Sequence, residues 1–152
     1  MTTNYVDATD EIYTLFKTQW DLKTPDVLPY VPEVRYGNNE KKGKPPSDKF
    51  WVRITIDSVN SEQTSLSTCA GKPYQRRYTD YGLVFVQVFC PKSVANSDEI
   101  GKQLASIARA TFRGVATPGQ VWFRNARIND LPPEDLFYRF NVVAEYEYDE
   151  LQ

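Results

Sequence analysis

Residues 81–112 read YGLVFVQVFCPKSVANSDEIGKQLASIARATF, and the fold turns on the change of period inside that run. From Leu83 to Cys90 both alternating sets are apolar: Val84, Val86, Val88 and Cys90 on one face, Leu83, Phe85 and Phe89 on the other. A strand apolar on both faces belongs in the middle of a sheet. Pro91 removes a backbone donor and stops it. Ile100, Leu104, Ile107, Ala108 and Thr111 then fall on one helical stripe, with Asp98 and Glu99 in the first turn, where the helix dipole favours acids. The expectation is one long central strand or two over Tyr74–Cys90, with a bulge or bend at Gly82, and a helix over 97–112 capped by Ser97.

Upstream, Phe50, Val52, Ile54 and Ile56 alternate with Trp51, Arg53, Thr55 and Asp57, which predicts a long strand over about 49–59 with one buried face. Before it, Ile12, Leu15, Phe16 and Trp20 recur at helical spacing, so a helix is expected over 8–21, capped by Asp7 or Thr9. Pro25, Pro29 and Pro32 rule out a helix after it and allow a short strand at Val27–Tyr30. Residues 37–48 hold Lys41, Lys42 and Lys44 beside a Pro pair and no apolar residue, an exposed loop. Residues 60–73 read as a broad hairpin connection or arm.

Downstream, Val121–Asn129 reads as a strand with Trp122, Arg124, Ala126 and Ile128 on one side and Phe123, Asn125 and Arg127 on the other. Leu136–Tyr148 reads as a final strand, with 149–152 a flexible acidic tail. Helix, hairpin, helix, hairpin is the order of an α+β fold: an antiparallel or mixed β-sheet with two α-helices packed on one face and long hairpin arms. The 152 residues are expected to form one domain, 1–152. The composition, 41% hydrophobic and 25% charged, is that of an ordinary globular chain, and no run approaches a membrane span. No secretory signal opens the chain, so it is expected to stay where it is made.

The count that excludes most is zero histidines. Ser-His-Asp and Cys-His nucleophiles and imidazole-bearing metal centres are impossible, which leaves carboxylate pairs, Lys or Tyr, or an all-oxygen site. Cys69 and Cys90 lack the spacing of a zinc site or disulfide framework. No phosphate-cradling glycine loop is present. Glu145, Glu147, Asp149 and Glu150 read as a solvated strand face rather than a magnesium site, and an acid-pair hydrolase built on Glu145 and Glu147 is the enzymatic alternative. The expectation is therefore no enzyme, no cofactor and no metal. Net charge is −2, without the basic footprint of a dedicated nucleic-acid binder. Arg76 and Arg77 between Tyr74 and Tyr78 suit either a protein interface or stacked bases. If Phe50 and Phe123 face the core, Trp51 and Trp122 lie on the other face with Thr55, Ala126 and Ile128. So much apolar area is costly to leave wet, and self-association is the economical explanation.

The opening helix with its Pro-rich sequel DVLPYVPEVRYG, the strand FWVRITI, the strand YGLVFVQVFCP leading into SDEIGKQLASIARATF, and the closing LFYRFNVVAEYEY together resemble the tail terminator, or minor tail protein U-like, family of long-tailed bacteriophages. The resemblance covers most of the chain. It implies a structural virion protein, made in the host cytoplasm and found at the head-proximal end of the tail. Such a protein caps the tail tube as a homohexameric ring, ends polymerisation and joins the tube to the head-side connector. DNA passes through the lumen unread, and no membrane is involved. The candidate contact regions are the loop Gly37–Asp48 with Lys41, Lys42 and Lys44, the arm Ser61–Pro73 with Arg76, Arg77 and Tyr78, and the face marked by Trp51 and Trp122. The alternative is a small nucleic-acid-binding module using these basic and aromatic residues on an exposed sheet.

Overall fold

A computed structural model of the chain describes residues 3–37, 43–64 and 76–151. Helix α1 (Tyr5–Lys23) starts at Asn4, whose side chain accepts from the Asp7 amide at 2.9 Å; the cap is Asn4 rather than Asp7 or Thr9. Ala8, Ile12, Phe16 and Trp20 recur every fourth residue and are all buried. Trp20 donates its indole N–H to the Pro32 carbonyl at 3.0 Å, which ties the Pro-rich segment to the helix. A 3-10 turn (Thr24–Asp26) stands just before the strand expected at Val27–Tyr30, and the strand itself, β1 (Glu33–Tyr36), comes after the last proline, where every residue can donate to a ladder.

Strands β2 (Trp51–Gln63), β3 (Arg77–Pro91), β4 (Trp122–Leu131) and β5 (Phe137–Leu151) complete a five-stranded mixed sheet in the order β1-β2-β3-β5-β4. β1 runs parallel to β2 and the other pairs are antiparallel. Helix α2 (Ser97–Thr111) joins β3 to β4. This is the expected α+β architecture with both helices on one face. One core cluster joins Ile12, Phe16, Leu104 and Phe112 to Val52, Val86, Val142 and their neighbours on β2, β3 and β5.

β3 lies at the centre, as its two apolar faces require. It is continuous through Gly82; the register shift falls opposite, between Ser58 and Asn60 of β2. Gly82 is needed for space, because a Cβ there would strike the Tyr146 ring and the Asp57 carbonyl. Asn96 in the left-handed region precedes α2 without a side-chain cap bond, and Ser97 is buried with its hydroxyl unpaired, so Ser97 is not the cap. The tail expected at 149–152 belongs to β5 as far as Leu151, held by the Thr79 hydroxyl on Asp149 at 2.7 Å and by the pairing of Glu150 with Tyr78.

The largest departure lies in β4. Asn125 takes φ 54° and the register against β5 jumps between Arg124 and Arg127, a β-bulge. One extra residue reverses the alternation, so Ala126 and Ile128 pack against the helix-side core while Arg127 joins Trp122 and Arg124 on the other face. Ala126 and Ile128 therefore do not contribute to the outer apolar surface expected of them.

Candidate interaction surface

The sheet face away from the helices carries no covering element among the described residues. Register places its side chains in rows across β2, β3, β5 and β4. The row nearest the end of β3 is aromatic. Trp51 and Phe89 stack at 3.9 Å with planes 3° apart, and Phe137 meets both edge-on, at 6.2 and 6.0 Å. Arg35, bonded to Glu33 at 3.3 Å and to the Gly43 carbonyl at 2.6 Å, brings its guanidinium within 5.5 Å of the indole centroid. Trp51 is consequently 4% exposed, which corrects the expectation of a wet outer indole: its face was right, but neighbouring strands cover it.

The next row is polar. Arg53, Gln87, Asn141 and Asn129 stand at successive register positions. The Arg53 guanidinium lies 5.4 and 5.6 Å from the Trp51 and Phe89 centroids and has no anionic partner among the described residues. Asn141 Oδ1 is buried without a donor, as is the Trp51 indole N–H without an acceptor. Buried groups left unbonded cost about 1–3 kcal/mol each, and both atoms are enclosed within the chain. Below it Thr55, Phe85, Val143 and Arg127 form a mixed row in which Val143 is buried. Beyond that, Asp57, Leu83, Glu145 and Arg124 lead to Glu147 and Trp122.

Glu145 accepts from Asn125 Nδ2 at 2.8 Å and pairs with Arg127 at 3.6 Å, and Glu147 pairs with Arg124 at 3.2 Å. The two carboxylates thus answer arginines of β4 in exposed pairs of small energetic weight. Trp122 is the exposed indole, 55% accessible. Among the described residues no group of three or more His, Cys, Asp or Glu converges to hold a metal. Burial raises the Cys90 thiol to about 12, which keeps it protonated and unreactive.

The sequence-derived contact residues are not one site. Lys41 and Lys42 lie outside the described residues, and Lys44 is exposed beside the Gly43 carbonyl that holds Arg35. Arg76, Arg77 and Tyr78 stand at the far end of the arm, with Tyr78 opposite Gln63. Eleven residues of strand separate Tyr78 from Phe89, about 37 Å at the antiparallel rise, so these residues and Trp51 cannot grip one small ligand. Arg53, Gln87 and Asn141 were missed. The alternation of β2 and β3 marked their face, but only register aligns them into a row.

No protein-family model matches the chain, and the search of curated proteins finds no match. Chains of known structure do match. One, which carries no functional description, superposes with a TM-score of 0.60 at 17% identity, covering 92% of this chain and 94% of its own. That likeness extends the fold to a distant sequence.

Proposed function

We propose that the chain is a structural virion protein of a long-tailed bacteriophage, which closes the tail tube as a ring, ends its polymerisation and forms the joint to the head-side connector. The observation that carries the reading is the sheet face away from the helices, where exposed Arg53 and Trp122 and half-buried Thr55, Leu83 and Phe85 stand with no covering element among the described residues. A surface of that kind is built for contact with protein. The end of β2 supports the reading as well, since Asp57–Thr64, of which 61–64 is the described part of the expected arm, is exposed along its whole length and offers polar side chains to a neighbour. The reading also rests on the resemblance read from the sequence. In this role the ring is a homohexamer, the tube protein and the connector are its partners, and DNA crosses the lumen without being read. A ring contact is heterologous and must close on itself, because an open head-to-tail contact gives filaments.

The test is genetic. A phage carrying a stop codon early in this gene should assemble tails of uncontrolled length that fail to join heads, seen by negative-stain microscopy. Tails of normal length joined to heads in the absence of the chain would refute the reading.

A further inference from the structure

β2 outruns its neighbour on one side. β1 pairs only with Trp51–Ile54, and Gly37 closes that pairing by donating to the Ile54 carbonyl at 2.9 Å. In an antiparallel ladder the N–H and C=O of one residue point the same way and the direction alternates along the strand, so Ile56 and Ser58, like Ile54, aim theirs away from β3. Beyond the bulge, Thr64 donates to the Arg77 carbonyl at 2.8 Å and so faces β3; Ser61, three residues earlier, faces away. Among the described residues the backbone groups of Ile56, Ser58 and Ser61 have no partner on that side. The side chains along this open edge are acidic. Asp57 and Glu62 are exposed on the face away from the helices, and no cation among the described residues pairs with either; Glu62 accepts only from Asn60 Nδ2, at 2.9 Å. Asp57 stands opposite Leu83 and Glu62 opposite Thr79, so four residues of regular strand span the distance between them. Val59, 66% exposed at the bulge, lies between.

We propose that this edge takes up an extended segment of another protein as a further strand, whose backbone bonds Ile56, Ser58 and Ser61 and whose two basic side chains, four residues apart, answer Asp57 and Glu62. Exposed ion pairs carry little energy, so the backbone bonds supply the affinity and the acids select register and partner. The occupant is not a second copy. Among the described residues no strand of this chain carries two bases four residues apart, and the one strand with two, β4, has Arg124 and Arg127 engaged by Glu147 and Glu145. The assignment does not rest on the tail reading.

The probe is the peptide acetyl-Thr-Lys-Val-Thr-Val-Lys-Thr-amide, titrated into the isotope-labelled full chain to about 1 mM and followed by NMR. The expected result is saturable binding in which amide hydrogen exchange slows at least tenfold at Ile56, Ser58 and Ser61 and changes little at Asp57 and Glu62, which already face β3. The peptide with Glu in place of both Lys, and the peptide with Pro in place of the first Val, should each bind at least tenfold more weakly. Ser61→Pro removes an outward-facing donor and should weaken binding as much with far-UV circular dichroism unchanged; the peptide variants carry the test if that substitution disturbs the fold. No saturable binding by 1 mM or so, protection without the alternation, or equal binding of the Glu peptide overturns the proposal. A two-chain species of the protein alone in native mass spectrometry that Ser61→Pro abolishes overturns it too, because the edge would then belong to a second copy. Overlong tails in the stop-codon phage without peptide binding would leave the terminator reading standing and this one refuted; the opposite results would do the reverse.

Discussion

Replacing Trp51 by Ala separates a covered indole from a merely outward-facing one. The side chain is 4% exposed, stacked on Phe89, met edge-on by Phe137 and flanked by two guanidinium groups. A tryptophan that buries about 200 Å² at about 25 cal/mol per Å² carries about 5 kcal/mol, with a further 0.5–1.5 kcal/mol or so for each aromatic pair. Against that, the orphan indole N–H costs about 1–3 kcal/mol and disappears with the ring. These terms net to about 3–7 kcal/mol, and the lower part of that span, about 3–5 kcal/mol, is the usual range for removing a buried Trp and the expected loss. For a chain of this length each kcal/mol moves Tm by about 2–4 °C, so Tm should fall by about 10 °C. Trp122→Ala is the control: at 55% exposure it should cost within about 0.5 kcal/mol. Urea and thermal denaturation followed by circular dichroism measure both. If the two variants lose similar stability, or Trp51→Ala stays within about 0.5 kcal/mol of the parent, the reasoning from cross-strand cover is wrong.

Gly101 packs on Cys90 Sγ and a Cβ would come 2.9 Å from the Phe140 ring, so Gly101→Val should cost about 1–3 kcal/mol by overpacking, read as a lower urea midpoint; full stability would refute the close approach of α2. Asn125 holds the left-handed bulge of β4, so Asn125→Val should cost about 1–3 kcal/mol and Asn125→Gly distinctly less, and equal losses would remove the backbone explanation. The Cys90 thiol rises from an ordinary 9.0 to about 12 and Tyr13, Tyr146 and Tyr148 rise above 10.0, chiefly by burial. A raised folded-state value favours the protonated native form, so this stabilisation is complete below pH 9.0 and lost as pH climbs through 9.0 toward 12. The urea midpoint should begin to fall above pH 9.0, and Cys90→Ala should remove the part of the fall that precedes tyrosine ionisation; a midpoint that rises there has the wrong sign.

Where neighbours in sequence decide the outcome, the sequence was legible. The period-two pattern of Val84, Val86, Val88 and Cys90 against Leu83, Phe85 and Phe89 placed β3 at the centre, and the helical spacing of Ile12, Leu15, Phe16 and Trp20 placed α1. What was hidden depends on residues far apart in the chain. The alternation of Trp51 named its face, but the ring is covered by Arg35 of β1 and Phe89 of β3, which only strand register brings together. The bulge at Asn125 follows no glycine and breaks no apolar run, so strict alternation carried Ala126 and Ile128 to the wrong side. β1 is four residues long and parallel, too short for periodicity to reveal, and prolines drew attention to the segment before it. The polar row Arg53, Gln87 and Asn141 has no signature in any one strand.

The most direct test of the account is an image reconstruction of the head–tail joint in intact virions of the phage that encodes this chain. The account predicts a ring of six copies seated on the last layer of the tail tube, with sheet faces or arms in contact between copies. A joint fully occupied by other proteins, with this chain absent from the particle, would contradict it.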